Sequence, residues 1–303
     1  MEQANMQNPS QKQWSHSPIL AAEITKLLIT KPSAVYLDAT LGLGGHTAYF
    51  TRQLSAGGII IGLDKDKNAI SMAEAKVNDA RLKTFNLSYL QAGEALASLG
   101  IMGVQGALFD LGLSSYQLDD GARGFSFLND GPLDMRFDNA KGITADDIVN
   151  AWPVSKIEEI LLKYGEERAA SKIALAIFQA RANGRIESTF QLAKIIESVL
   201  PRQGKTHPAT KTFQALRIAV NDELNTVEAA PKILPNIILA GGRAAFLTFH
   251  STEDRIIKYG LKELTQSGNW QLVNKKVIEP TFEEIKQNPR ARSAKLRVIE
   301  RLK

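Results

Sequence analysis

Apolar runs and amphipathic stretches alternate along roughly the first third of the chain. In order, these are a helical stretch after Pro18, an apolar run at 34–40, a second at 58–64, a Lys/Ala/Glu-rich helical stretch at about 67–77, a strand near 83–87 and an apolar run at 106–112. Strands that alternate with helices in this way predict a parallel, doubly wound sheet with helices on both faces.

The alternation stops after residue 112. Residues 115–140 have no clear period, and 144–203 carry helical spacing with no convincing strand. We therefore predict a helical subdomain, 118–207, inserted into an α/β domain formed by 16–117 and 208–303, with 1–15 as a disordered lead.

The parent domain then resumes. Its predicted elements are a helix at 211–225, a buried strand at 241–250, and two strands at 270–277 and 294–302 that can pair antiparallel at the sheet edge.

Composition excludes several kinds of chemistry. The chain has 303 residues and no Cys, which excludes disulfides, thiolate metal sites and Cys nucleophiles, and we expect no metal. A reducing cytoplasm is the expected location, and no apolar run is long enough for a membrane span. Lys and Arg number 37 against 32 Asp and Glu, a net charge of +5 that only weakly favours a polyanionic partner.

A glycine turn follows the first predicted strand, where ligands bind in doubly wound sheets. The turn contains Gly42, Gly44 and Gly45 but lacks the third glycine of a dinucleotide fingerprint. Asp64 ends the next strand about 20 residues later, where a carboxylate can accept hydrogen bonds from ribose hydroxyls. The glycine turn and Asp64 together suit S-adenosylmethionine as well as NAD. The alternative is that they form only a tight turn and a helix-capping acid, with no ligand.

Asp110 ends the fourth strand and begins the loop 110–115. A carboxylate there can accept a hydrogen bond from the exocyclic amine of a base, which helps the nitrogen to pyramidalise toward a methyl donor. Without Cys, the thiolate route to cytosine C5 is closed. An ordinary capping acid at the strand end explains Asp110 equally well.

Several longer sequence motifs, spread over nearly the whole chain, resemble those of one protein family. They are HSPIL from His16, DATLGLGGHT from Asp38, DLGLSSYQLDD from Asp110, RGFSFLNDGPLDMR from Arg123, YGEER from Tyr164, HPATKTFQALRIAVNDEL from His207, FHSTEDR from Phe249 and NPRARSAKLR from Asn288. Together they resemble the ribosomal RNA small-subunit methyltransferase H (RsmH, also called MraW) family.

The resemblance implies a Rossmann-like class I S-adenosylmethionine-dependent methyltransferase sheet with a helical insertion. It implies methylation of cytosine N4 in the decoding centre of bacterial 16S rRNA, with S-adenosylmethionine as cofactor. Asp110 is the expected catalytic residue, and the family's cofactor contacts fall on Gly44, Gly45, His46, Asp64, Tyr89, Asp110 and Gln117.

Candidate RNA contacts lie in the insertion, on the helix from Thr210 and near the C-terminus. They are Phe125, Phe127, Arg136, Arg217, Asn221, His250, Arg290 and Arg292. Each has a plainer alternative: the Phe residues can pack the loop, the arginines can be solvated, and His250 can cap a helix.

Two other functions share part of this pattern. A nicotinamide-dependent oxidoreductase shares the glycine turn and Asp64, and a non-catalytic ribosome-assembly factor shares the insertion and the basic C-terminal segment. We expect the partner to be 16S rRNA within the small subunit or a late precursor, with no membrane contact. A homo-oligomer is left open.

Overall fold

The computed structural model describes residues 18–112, 120–202 and 207–303. The predicted disordered lead, 1–15, and Gln117 lie outside the described residues.

The first part of the chain alternates helix and strand as predicted. Its elements are α1 (Ala21–Leu28), β1 (Val35–Asp38), α2 (Gly45–Thr51), β2 (Ile59–Leu63), α3 (Lys67–Val77), β3 (Leu82–Phe85), α4 (Ala92–Ser98) and β4 (Val104–Asp110). The start of α3 is fixed by Asp66, whose side chain accepts hydrogen bonds from the backbone N–H groups of Asn68 and Ala69.

The inserted region is helical. It contains α5 (Ala145–Ala151), α6 (Val154–Gly165), α7 (Ala170–Ala182) and α8 (Thr189–Val199). Within the described part of the insertion, strand-like pairing is confined to one isolated bridge between Pro132 and Ser188.

The last part of the chain completes the sheet. Its elements are α9 (Thr210–Asn221), α10 (Glu223–Ile237), β5 (Ile238–Thr248), α11 (Ser251–Gln266), β6 (Trp270–Leu272), α12 (Phe282–Gln287) and β7 (Lys295–Arg301). The single helix predicted at 211–225 is wrong, because Asp222 adopts the left-handed conformation (φ 51°) and separates α9 from α10. Apolar spacing continues across this break and therefore does not reveal it.

The sheet has seven strands in the order β3-β2-β1-β4-β5-β7-β6. Strands β1 to β5 are parallel, and β7 runs antiparallel between β5 and β6. This arrangement confirms the predicted doubly wound fold and the antiparallel C-terminal pair.

Hydrophobic residues form separate cores in the sheet region and in the insertion. Helix α9 contributes Phe213, Ala215 and Leu216 to the core of the insertion. The predicted domain boundary at 208 assigns α9 to the parent domain. In the structure, α9 packs with the inserted helices.

Among the described residues, no helix is both long enough and apolar enough to cross a membrane.

Candidate active site

A cleft of about 240 Å³ opens at the carboxyl ends of β1, β2 and β4. This is the edge where a doubly wound sheet binds its ligand. The lining includes the glycine turn, strand-end residues and the junction of α9 and α10: Leu41, Gly42, Gly45, His46, Asp64, Tyr89, Asp110, Phe137, Asn221 and Glu223.

The glycine turn bends the chain closely around the base of this cleft. Gly42 and Gly44 have φ of 50° and 70°, in the left-handed region that favours glycine. A Cβ at Gly44 would lie 2.8 Å from the Val77 side chain, so a larger residue would push the turn away from α3. Gly45 and His46 line the cleft, whereas Gly44, the N-cap of α2, is not among the described residues that line it.

Asp64 directly follows β2 and is fixed by backbone donors. Its Oδ2 accepts from the Gly42 N–H at 2.8 Å, and its Oδ1 accepts from the Asp66 N–H at 2.9 Å. Burial raises the pKa of Asp64, and these two hydrogen bonds oppose that rise. Each carboxylate oxygen can accept a second hydrogen bond, so the group is oriented to receive a pair of ligand hydroxyls.

Asp110 lies on the other side of the glycine turn. Its backbone N–H donates to Thr40 Oγ1 at 2.7 Å, which joins the ends of β1 and β4. Its Oδ2 is 3.5 Å from His46 Nε2. The His46 ring is buried, and neither ring nitrogen meets hydrogen-bond geometry with a described atom.

Asp38 lies behind His46 and Asp110. It is buried and accepts from the Thr47 hydroxyl at 2.7 Å. Burial raises the pKa of Asp38, and the Thr47 hydrogen bond opposes the rise. Two strand-end carboxylates therefore lie close together, with the His46 ring near both.

Tyr89 closes the cleft from the loop after β3. Its ring packs edge-on against Phe109, with centroids 5.6 Å apart, and burial raises the pKa of its phenol. The hydroxyl is therefore uncharged at neutral pH, and the ring offers an apolar surface to a ligand.

The charges along the cleft test which cofactor the site can hold. Among the described residues that line it, Asp64, Asp110 and Glu223 are acidic and Lys65 and Lys76 are basic. Glu223 is paired with Arg217, so the negative charge offered to a ligand comes from Asp64 and Asp110. Two carboxylates suit the sulfonium and ammonium groups of S-adenosylmethionine, whereas a dinucleotide pyrophosphate would be repelled by them. The oriented Asp64 also fits the ribose of an adenosine-containing cation.

The two phenylalanines expected to contact RNA are engaged inside the protein. Phe125 is 5% exposed and stacks on Phe137 within the core of the insertion. Phe127 stacks on the ring of His207, with centroids 4.3 Å apart, and meets Phe213 edge-on. In this conformation Phe125 offers no free ring face to a base.

Arg217 and His250 also have partners within the chain. Arg217 donates to both oxygens of Glu223, at 2.7 and 2.8 Å. Burial raises the pKa of Glu223, and the Arg217 charge opposes that rise. His250 caps α11 by accepting from the Glu253 N–H at 3.3 Å, which is the plainer of its two expected roles.

The remaining candidates for RNA contact are more accessible. Asn221 lines the cleft. Arg136 is held by Asp134 through two hydrogen bonds and lines a neighbouring cavity. Arg290 and Arg292 are exposed on a short 3₁₀ turn, Pro289–Ser293.

Sequence reasoning missed two residues that shape the cleft. Phe137 lines it from the insertion, and Arg123 is buried against Asp66 instead of solvated. Both lie in the aperiodic stretch 115–140, where no spacing signal separates a buried side chain from an exposed one.

Sheet order, glycine turn and strand-end carboxylates together define a class I S-adenosylmethionine-dependent methyltransferase. The chain belongs to the MraW methylase family, whose sequence profile matches residues 13–302. This membership confirms the resemblance drawn from the motifs and excludes the nicotinamide-dependent oxidoreductase.

The sequence match to curated relatives extends over nearly their whole length. The chain is 55% identical over 290 residues to ribosomal RNA small subunit methyltransferase H of Elusimicrobium minutum, covering 95% of this chain and 99% of that protein. It is 42% identical over 287 residues to the protein of the same name from Solibacter usitatus, covering 94% and 99%. A crystal structure of an rRNA methylase from Streptococcus thermophilus overlaps 93% of this chain and 94% of its own, with 13% identity and a TM-score of 0.40.

Proposed function

We propose that this protein methylates the exocyclic N4 of a cytosine in the decoding centre of bacterial 16S rRNA. The substrate class is supported by the relatives, which are named as small-subunit rRNA methyltransferases. The choice of an exocyclic amine rests on one observation, the Asp110 carboxylate at the strand end within the cleft.

The main task of the protein in this reaction is to position the amine and the methyl donor. Bound S-adenosylmethionine supplies an electrophilic methyl group on a good leaving group. The lone pair of the cytosine amine is delocalised into the ring, so a carboxylate that holds one N4–H helps the nitrogen to pyramidalise. Bound S-adenosylmethionine would give up its methyl group and leave as S-adenosylhomocysteine, and Asp110 would accept the proton that N4 loses when it bonds to the methyl carbon.

The neighbours of Asp110 keep it in position for this task. Thr40 holds its backbone, and the His46 ring lies beside one of its oxygens, which leaves the other oxygen for the amine. Because the chain contains no Cys, addition of a thiolate to the cytosine ring is not available as a competing route.

The proposed RNA contacts follow from accessibility. We assign Arg136, Arg290 and Arg292 to surrounding phosphates. Phe125, Phe127, Arg217, Asn221 and His250 are not included, because each side chain is occupied within the protein.

Asp110→Asn tests the chemical role. The amide keeps the shape and one acceptor oxygen but loses the charge, so we expect the single-turnover rate to fall by a factor of roughly 100 or more. Rates are measured at saturating S-adenosylmethionine on small subunits, and the modified nucleoside is identified by mass spectrometry.

Glu263→Gln, an exposed carboxylate on α11, is the matched control and should retain the wild-type rate. N4-methylcytidine that is undiminished in 16S rRNA from cells lacking the gene would sink the assignment of the atom. A wild-type rate in Asp110→Asn would remove Asp110 from the mechanism.

A further inference from the structure

Residues 135–137 of the insertion, here named the wall segment, reach the cleft through Phe137. Phe137 lines both the cleft and a neighbouring cavity of about 350 Å³, and the two spaces share Lys65, Ser88 and Asn221. Asp64, the carboxylate proposed to bind ribose, lines the same cleft as Phe137, and Lys65, which directly follows it, lines both spaces.

The wall segment is held from two directions. Arg123 donates from Nη2 to the carbonyl oxygens of Arg136 and Phe137, at 3.0 and 3.1 Å. Asn221 accepts from the Phe137 N–H at 2.8 Å and donates to the Met135 carbonyl at 2.7 Å.

These hydrogen bonds stabilise an unfavourable backbone conformation at Met135. Met135 has φ of 61°, in the left-handed region, although it is a fully buried non-glycine residue. Such a conformation persists only where surrounding contacts over-determine it, and it occurs preferentially at ligand sites.

Arg123 also reaches the sheet side of the cleft. Its Nη1 is 2.8 Å from Asp66 Oδ2, and both side chains are buried. Asp66 in turn donates its backbone N–H to Asp64 Oδ1. A continuous set of polar contacts therefore joins the ribose-binding carboxylate to the wall segment, through Asp64, Asp66, Arg123 and Phe137.

The Phe137 ring is packed on one side and partly accessible from the cleft. One face stacks on Phe125, with centroids 5.6 Å apart and an angle of 26° between the rings. The ring is only partly buried and borders the cleft near Leu87 and Ser88, which follow β3.

We propose that Phe137 is the contact of the insertion with the adenosine half of the cofactor, and that Arg123 is a positioning residue that couples cofactor binding to placement of the insertion. The expected effect of this coupling on RNA binding rests on the proposed function. Because coupling between two binding sites is reciprocal, cofactor and small subunit each raise the affinity for the other.

The first experiment measures S-adenosylhomocysteine affinity by calorimetry. Phe137→Ala should weaken binding about tenfold through the lost aromatic contact, and Phe137→Tyr should restore it. Phe190→Ala, at an exposed Phe of α8, is the matched control and should bind as wild type. Unchanged cofactor affinity in Phe137→Ala would overturn the proposal, and a selective loss of small-subunit affinity would do so by assigning Phe137 to the RNA.

The second experiment measures coupling. In the wild type, S-adenosylhomocysteine should raise small-subunit affinity about fivefold or more and should protect the amides of the wall segment from hydrogen exchange. Arg123→Met should lose both effects. Asp66→Asn keeps an acceptor oxygen for the cap of α3 but removes the charge facing Arg123, and it should lose part of the coupling without unfolding α3.

The proposed role of Arg123 would be overturned if both Arg123→Met and Asp66→Asn kept the wild-type values of two quantities. These are the effect of S-adenosylhomocysteine on small-subunit affinity and the exchange protection of the wall segment. Cofactor affinity and hydrogen exchange do not depend on the methylated atom, and small-subunit affinity depends on the substrate but not on that atom. A wrong atom would leave them unchanged, whereas a wrong Phe137 or Arg123 would leave N4 methylation intact.

Discussion

At the scale of single residues, the cleft depends on carboxylates held by backbone donors. Asp64 uses one oxygen for Gly42 and the other for Asp66, so its orientation is fixed before any ligand binds. A fixed acceptor loses little freedom when ribose hydroxyls bind, and this favours affinity.

Asp64→Asn tests this residue. The amide keeps one acceptor oxygen but loses the charge, and we expect S-adenosylhomocysteine affinity to fall roughly 10- to 100-fold. Calorimetry on the folded variant measures the change, with Glu263→Gln as the control. If affinity is retained, Asp64 is only a strand-end acid.

Asp38 gives a pH dependence of stability. Burial raises its pKa above the ordinary value of 3.8, so the folded state holds the proton more readily than the unfolded state does. Its contribution is therefore complete below pH 3.8 and is lost as the pH rises through the folded-state pKa. Ionisation of this buried carboxyl therefore lowers the stability of the fold.

Asp38→Asn removes that charge and keeps an acceptor for the Thr47 hydroxyl. At a pH above the folded-state pKa of Asp38, we expect the melting temperature of the variant to exceed that of the wild type by about 2 °C, with a smaller difference as the pH is lowered through that pKa. Thermal melts across this range measure it. A constant difference at all pH values would mean that the charge of Asp38 is not responsible.

Site residues at strand ends were predictable, and those in the aperiodic loop were not. Asp64 and Asp110 follow apolar runs, so sheet topology alone brings them to one edge. Phe125 and Arg123 lie in a stretch without period, and whether they are buried depends on the insertion that packs over them. Arg217 was placed on the correct helix, but its partner Glu223 lies beyond a break that apolar spacing does not show.

At the scale of elements, the junction of α9 and α10 controls one side of the cleft. Asp222 ends one helix and begins the next, and its neighbours Asn221 and Glu223 both line the cleft. The left-handed conformation of Asp222 thus sets the direction in which these two side chains point.

Substitution of Asp222 should show the cost of that conformation. Asp222→Ala places an ordinary Cβ in the left-handed region, and we expect a loss of about 1 kcal/mol in the free energy of unfolding. Asp222→Gly should lie within about 0.5 kcal/mol of the wild type, because glycine tolerates this region at an entropic cost. Urea denaturation compares the two, and equal stability of the Ala and Gly variants would contradict the argument.

At the scale of the whole molecule, the modest net charge of +5 makes the distribution of charge decisive for RNA binding. We expect a shaped rRNA surface to position the base better than a flexible strand, so small subunits should be methylated faster than naked rRNA. Equal rates on both substrates would contradict this.

Phosphate contacts should also appear in the salt dependence. Arg290→Ala with Arg292→Ala should weaken small-subunit binding and reduce the slope of log affinity against log salt by roughly 1 to 2. Lys258→Ala with Lys262→Ala removes the same charge from exposed positions of α11 and is the control. An identical slope in both double variants would remove the 3₁₀ turn from the RNA interface.

The pairing of β4 with β5 has a consequence for synthesis of the chain. These neighbouring parallel strands are separated in sequence by the whole insertion, with Phe109 opposite Phe246. Every buried residue of the insertion core lies between Phe125 and Leu216, so that core can form before β5 has emerged from the ribosome and paired. Until then one edge of β4 lacks its partner, and a chain truncated after α9 would leave an unpaired, aggregation-prone strand beside a folded helical subdomain.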